Sequence, residues 1–297
     1  MGVLADPESG AAMGLQRRPM RIYSLAEEVD TKAPGMWFTE HVENFSVLAN
    51  GQLLPNVKSG IAFDAVALNP PKYLDYLFQS VQKLGAKIVR AELSPSKGFA
   101  AAVGRAVALA SSAQGAESEK TVVVNCTGIG ARALCGDDNV YPIRGQTILV
   151  RLSPAPPEEE VHIIMHPATS ADQGVTYIVP RPGTDTFILG GTKTDDDWSA
   201  VPDEEISKGI IERCKGAWEY LAREDVAIEV LSTQVGLRPG RKGGARVEKD
   251  SVSIEEGGQT RRQDVVHQYG HSGAGYQNSI GSANKVLGLV KEILDGA

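Results

Sequence analysis

The feature that most narrows what this chain can fold into is a glycine cluster, Gly270-His271-Ser272-Gly273-Ala274-Gly275. It is set between the strand-like Val265-Val266-His267 and a helical segment over Ser282–Leu294, with Gly281 at the join. Glycines at this spacing let backbone amides come close to a ligand, and the N-terminus of the helix beyond adds partial positive charge suited to an anion or a polarised ring. Taken alone, such a cluster is a structural turn about as often as a ligand loop.

The rest of the chain supplies the surroundings. Residues up to about Pro19 show little periodicity and are expected to be a loose leader. Trp37–Val47 suits a strand, Asn50-Gly51 a tight turn, and Ile61–Leu68 another strand. Asn69-Pro70-Pro71 reads as a cap with proline in the first helical turn. A helix follows on which Tyr73, Leu74, Leu77, Phe78, Val81 and Leu84 share a face, ended by Gly85. Ala86–Leu93 is expected to be a strand, Ala100–Ala110 a helix and Gly115–Lys120 a polar loop. The apolar run Thr121-Val122-Val123-Val124 matches a strand buried on both faces of a parallel sheet.

Beyond it, Gln146–Leu152, Val161–Met165, Thr176–Val179 and Thr186–Leu189 are strand-like, and Pro180–Gly183 turns the chain within a largely antiparallel region. Asp203–Ala222 reads as a helix with Ile206, Ile210, Ile211, Cys214, Ala217 and Leu221 along one face. The closing helix carries the stripe Val286, Leu289, Val290 and Ile293. The fold class expected is α/β, with an α/β part beside a mostly antiparallel β part.

Composition removes some functions. With 297 residues the chain can bury a substantial core, and 42% apolar with 23% charged residues is ordinary for a globular protein. A net charge of −7 argues against nucleic acid as a partner, because no basic field draws in phosphates. No apolar run has the length of a membrane span, and Met1–Gly14 lacks the pattern of a secretory signal. Cys126, Cys135 and Cys214 fit neither a disulfide framework nor a zinc site, an intracellular pattern. His162 with His166, and His267 with His271, stand four apart without a carboxylate or thiolate set around them. Gly270–Ala274 approaches a nucleophile elbow but lacks the last glycine of Gly-x-Ser-x-Gly.

Four ordered segments together resemble the D-amino acid oxidases, over roughly Arg21 to Leu294. They are Val124-Asn125-Cys126-Thr127-Gly128 with Pro142-Ile143-Arg144-Gly145-Gln146; Thr176-Tyr177-Ile178-Val179-Pro180-Arg181-Pro182 leading to Gly190-Gly191-Thr192; Val235-Gly236-Leu237-Arg238-Pro239; and Val265 to Gly275 with Gly281 and Ala283. Gln268 departs from the Asn, His or Ala usual at its position.

The resemblance implies FAD as cofactor, and oxidation of D-amino acids by dioxygen to 2-oxo acids, ammonia and hydrogen peroxide. It implies a two-domain flavoprotein, with a residual FAD-binding domain over about 60–150 and 230–297 and a substrate domain over about 20–60 and 150–230. It assigns the substrate carboxylate to Arg238 and Tyr177, and the substrate amine to the Gly273 carbonyl. The cofactor falls to Leu93, Thr127, Ser272, Gly273, Ala274, Gly275, Tyr276 and Gln277. Lys193 replaces an aromatic residue common in D-amino acid oxidases and matches the basic one of D-aspartate oxidases, which points to an acidic substrate side chain.

Such enzymes also begin with a strand and a Gly-x-Gly-x-x-Gly turn that holds the FAD pyrophosphate. No such unit occurs here, since Gly128-Ile129-Gly130 is too short a match. The chain is therefore expected to be truncated, with an open sheet edge and bare apolar faces, and a catalytically inactive remnant acting as a binding protein is the alternative. A homodimer is among the expected assemblies. A peroxisomal or cytoplasmic site is expected, although the terminal Asp295-Gly296-Ala297 is not a Ser-Lys-Leu address.

Overall fold

The computed structural model describes residues 7–114, 121–167, 174–256 and 258–296. In chain order, α1 (Pro7–Met13) leads into β1 (Leu15–Ser24), β2 (Glu43–Val47), β3 (Ser59–Leu68) and α2 (Pro70–Lys83). Next come α3 (Gly98–Gln114), β4 (Val122–Asn125), α4 (Ala131–Cys135) and β5 (Val140–Ser153). Then follow β6 (Ile163–His166), β7 (Thr176–Pro180), β8 (Thr186–Gly190), β9 (Thr194–Asp195), α5 (Glu204–Ala217) and α6 (Glu219–Ala222). The chain ends with β10 (Ala227–Arg241), β11 (Arg246–Glu256), β12 (Gln259–Tyr269) and α7 (Ser279–Asp295). No helix among the described residues is long and apolar enough to cross a membrane.

Two compact units share the chain. The first takes Met1–Val81, Gly145–Thr194 and Ala200–Gly236; the second takes Gln82–Arg144, Asp195–Ser199 and Leu237–Ala297. The first is built on a mixed sheet in the order β10-β5-β8-β7-β6-β1-β3-β2. Here β1 and β6 run parallel, while β1–β3, β2–β3, β5–β8, β6–β7 and β7–β8 are antiparallel. Alternation along the strands turns Ile148, Val150, Ile178 and Leu189 inward, where they meet Ile210, Cys214 and Leu221 of the helices. All six apolar positions anticipated on this helical face lie in or against that core.

The second unit holds a three-stranded sheet, β11-β12-β4. β11 and β12 form a long antiparallel pair, and β4 lies parallel to β12 with Asn125 opposite His267. Val103 and Val107 of α3 pack on Ile254 and Val265 of this sheet.

Several expectations need correcting. The stretch expected to be a loose leader contains α1 and the first half of β1, although Met1–Asp6 lies outside the described residues. β1 is rich in Arg17, Arg18 and Arg21, so its strand character comes from hydrogen bonding to β3 and β6 and left no apolar alternation to read. Only Glu43–Val47 of the expected Trp37–Val47 strand is extended; Pro34 opens a run of tight helical turns that takes up Trp37 and Phe38. Asn69 does not cap α2 through its side chain. Its amide donates to the Pro182 carbonyl at 3.0 Å and accepts from Arg181 at 2.9 Å.

The expected Asp203–Ala222 helix breaks at Trp218, which turns extended and buries its indole against Phe187. Ala86–Leu93 forms no strand and is mostly exposed, and the described residues offer it no neighbouring strand to pair with. β4 is parallel as expected yet not buried on both faces: it ends the sheet, and Val124 is exposed. The apolar stripe of α2 forms as anticipated, but Leu74, Leu77, Phe78, Val81 and Leu84 remain exposed. The polar loop expected at Gly115–Lys120 lies outside the described residues.

Candidate cofactor and substrate site

In the second unit, β4 and β12 point the same way, so their C-terminal ends lie side by side. From one end the chain passes through Thr127 and the turn Gly128–Gly130 into α4; from the other it passes through the turn Ser272–Ala274 into α7. Loops leaving the carboxyl ends of neighbouring parallel strands are where α/β sheets bind ligands. Gly128 has φ +58° and a side chain there would meet nothing within 4 Å; the space beside Gly275 is equally open. Ser272, although not glycine, takes φ 53°, which turns the chain sharply within the loop. Thr127, Gly273, Gly275, Tyr276 and Gln277 are exposed, and Ser272 and Ala274 half-buried.

Arg238, half-buried near the end of β10, comes alongside this loop: the position of a Cβ at Gly273 is 3.8 Å from its Cδ. The structure thus brings Arg238 and Gly273 together within one unit. Leu93 is half-buried in the irregular segment that follows α2. Gln268, the departure from the family pattern, accepts from the exposed Cys126 thiol at 3.7 Å.

Beneath the loops runs a polar network that no spacing in the sequence announced. His267 is fully buried, stacked on Phe99, and its Nε2 lies 3.1 Å from an Asp250 carboxylate oxygen. Its Nδ1 is 3.0 Å from Nδ2 of Asn125, itself buried. Asn125 Nδ2 also donates to the Cys135 sulfur, and Oδ1 accepts from both the amide and the hydroxyl of Thr127, at 3.2 and 2.8 Å. Asp250 receives Arg246, which reaches the Tyr269 hydroxyl; that hydroxyl donates to Asp137, and Arg241 closes on Asp137 at 2.8 Å.

Burial and the nearby Arg246 hold the His267 imidazole below its ordinary pKa. Burial would raise the Asp137 and Asp250 carboxyls. Hydrogen bonds from Arg241, Tyr269 and the Asn139 amide outweigh it for Asp137, as those from the Ser251 amide and His267 do for Asp250, so both are held low. Burial pushes the Tyr269 phenol up to about 12, so it stays a donor at neutral pH.

In the first unit, Tyr177 of β7 stands opposite Gly190 of β8 and its ring lies over Gly190 and Gly191. A Cβ at Gly190 would fall 2.1 Å from the ring Cζ, so glycine is the residue that admits the tyrosine. Thr192 accepts from the Gln146 amide at 2.9 Å, and Lys193 beyond it is exposed. Arg213 of α5 bonds Thr176 and the Gly191 carbonyl, each at 3.2 Å. Behind the strands Cys214 is buried, its thiol pushed up to about 12 by desolvation. Tyr177 and Lys193 belong to this unit, Arg238, Gly273 and the cofactor candidates to the other.

The histidine pairs are engaged elsewhere. His162 and His166 face the carbonyls of Glu160 and Pro167, and His271 bonds Ser282, not Ser272, at 2.7 Å. Among the described residues no group of three or more His, Cys, Asp or Glu is placed to hold a metal ion.

The residues present fit a flavin: two glycine loops with open space beside their backbone leave the same end of a parallel strand pair. Comparison with known proteins points the same way. The D-amino-acid oxidase of Rubrobacter xylanophilus is 33% identical over 291 residues, covering 97% of this chain and 74% of that protein. That of Dugesia ryukyuensis is 32% identical over 259 residues, covering 86% and 68%. Among solved structures, glycine oxidase from Geobacillus kaustophilus shares the fold with a TM-score of 0.62 at 17% identity, over 95% of this chain and 72% of its own. L-Proline dehydrogenase from P. horikoshii does so at 0.60 and 14%, over 96% and 74%. The family described as FAD dependent oxidoreductase matches residues 21–287, and with these relatives it shows that the chain belongs to that family of flavoproteins.

Proposed function

We propose that this chain oxidatively deaminates D-amino acids to 2-oxo acids and ammonia. The observation that carries the reading is the seating of Arg238 beside Gly273 at the loop after β12, in a chain one-third identical to a D-amino-acid oxidase. Arg238 grips the substrate α-carboxylate with two parallel hydrogen bonds, fixing orientation as well as charge. By the family resemblance Tyr177 is assigned as a phenolic donor for the substrate. The Gly273 carbonyl accepts from the amine, and Lys193 pairs with an acidic side chain where the substrate has one. Thr127, Leu93 and the backbone from Ser272 to Gln277 hold the cofactor.

When bound, FAD would supply the two-electron acceptor for the α-hydrogen, with dioxygen as the final oxidant giving hydrogen peroxide and water hydrolysing the imino acid to the 2-oxo acid and ammonia. The protein's task is therefore positioning, with the α-hydrogen brought to about 3.5 Å of the acceptor. No side chain is assigned as acid or base, because an amine that binds neutral needs none.

The test is a purified chain supplied with FAD, its flavin spectrum, and peroxide release with D-alanine, D-aspartate, their L-enantiomers and glycine. Peroxide from the D-forms only is expected. Replacing Arg238 by Lys keeps the charge but loses the fork and is expected to raise KM about 100-fold, in keeping with a lost bidentate contact. A chain that releases peroxide from L-amino acids or glycine but not from D-amino acids refutes the reading. D-Alanine preferred over D-aspartate removes the role of Lys193. The exposed face of α2 and the open edge of β4 favour a second reading, a non-catalytic binding protein, which a colourless chain silent with every substrate would support.

A further inference from the structure

We infer that Asn125, locked by His267, is a positioning residue that presents the Thr127 hydroxyl to FAD as a hydrogen-bond acceptor, so that Thr127 meets a donor of the cofactor, a hydroxyl or a ring N–H, and not a phosphate oxygen. The inference rests on Thr127 contacting FAD, as proposed above. The Asp250 carboxylate can only accept, so the proton of neutral His267 sits on Nε2, 3.1 Å away. Nδ1 is then a bare lone pair, and the group 3.0 Å from it on Asn125 must be the amide NH2. That choice fixes the whole side chain: the second amide hydrogen goes to the Cys135 sulfur, and Oδ1 turns toward Thr127.

Both donors of Thr127 are consumed by this arrangement. Its N–H and its O–H point to Asn125 Oδ1, and its carbonyl accepts from the Gly130 amide at 3.0 Å. A threonine hydroxyl has one hydrogen and two lone pairs. With the hydrogen committed, the Oγ of the exposed Thr127 can offer a ligand only lone pairs. Phosphate oxygens are acceptors and gain nothing there; the ribityl and ribose hydroxyls of FAD and the N–H groups of its two ring systems donate.

Protonation of His267 reverses the logic. An Nδ1–H would face the Asn125 NH2 donor to donor, and the pair is relieved only if the amide rotates and withdraws Oδ1 from Thr127. The charged groups facing the ring are Asp250, Glu248 and Arg246 of β11; β4 and α3 present Asn125 and Phe99, its own strand presents Tyr269, and α4 contributes Cys135 to Asn125. Thr127 geometry and His267 charge are therefore coupled through one side chain.

The test uses the full chain and two-dimensional NMR of histidine rings and backbone amides through an acid titration. The expected result is an Nε2–H tautomer at neutral pH, with protection of the Thr127 amide from exchange falling at least about tenfold as His267 gains its second proton. In Asn125→Asp both side-chain oxygens accept, so His267 titrates at higher pH and Thr127 protection no longer follows it. An Nδ1–H tautomer, constant Thr127 protection through the wild-type titration, or coupling retained in Asn125→Asp overturns the inference.

These readouts do not need FAD, so a chain that binds none refutes the proposed function and leaves the clamp to stand or fall on its own. In a chain that does bind it, Thr127→Val is compared with wild type for riboflavin and for ADP. A dissociation constant raised about tenfold for riboflavin places the donor on the flavin and ribityl half of FAD, and for ADP on the adenosine half. No change for either overturns the acceptor role.

Discussion

Gly190 offers a direct way to ask whether Tyr177 is held where the structure places it. The two residues face each other across β7 and β8, and Gly190 is buried. An alanine Cβ at 190 would stand 2.1 Å from Cζ, 2.2 Å from Cε2 and 2.6 Å from the phenolic oxygen of Tyr177. Carbon atoms settle at about 3.5–4.0 Å, so the ring must retreat by roughly 1.4 Å or more, or the strands must part. Overpacking of this kind in a buried sheet costs about 1–3 kcal/mol. Tyr177→Phe brings no relief, because the clashing atoms at 2.1 and 2.2 Å belong to the ring, whereas Tyr177→Ala removes them.

A double-mutant cycle by urea unfolding measures the coupling. Gly190→Ala is expected to cost at least about 1.5 kcal/mol less in the Tyr177→Ala background than in wild type. If Tyr177 binds the substrate as proposed, KM for a D-amino acid should rise more than kcat falls in the same variant. Equal cost of Gly190→Ala with and without the ring would refute the reasoning, because the strand backbone and not Tyr177 would then be demanding glycine.

Three further outcomes follow from the packing. His267 and Asp250 both sit below their ordinary pKa values of 6.5 and 3.8, so the unfolded chain binds more protons than the folded one in acid. Stability should fall as pH drops below about 6.5 and again below about 3.8; in thermal melts from pH 8 to 3, His267→Phe should flatten the first decline and shrink the second without abolishing it, because the Ser251 amide and Arg246 still hold Asp250 low. Asp137→Asn keeps the shape but loses the charge that faces Arg241, and should lower the unfolding free energy by about 1.5–3 kcal/mol, where a change under 0.5 would mean the network is dispensable. Leu84, 87% exposed at the end of α2, should tolerate Gln within about 0.5 kcal/mol; a larger loss would show that its face is covered in solution.

The amino-acid sequence by itself carried the family and much of the first unit. The strand-like stretches Gln146–Leu152 and Thr186–Leu189 became part of β5 and β8, and the helical stripe from Ile206 to Leu221 entered the core beside them, because these patterns are local. The glycine loop after Val265–His267 was legible for the same reason, as a string of small residues between a strand and a helix. β1 was not, since its arginines hide a strand defined by partners some 45 and 140 residues away. Ala86–Leu93 and Val124 show the converse: apolar runs promise burial, but only neighbouring chain can deliver it, and the described residues leave these exposed. The buried relay from Asp137 to Thr127 was likewise out of reach, being assembled from β4, α4, β10, β11 and β12, with members up to 142 residues apart. Spacing along the chain reports which residues share a face; which donor meets which acceptor is decided by register between strands, and that register exists only once the sheet has formed.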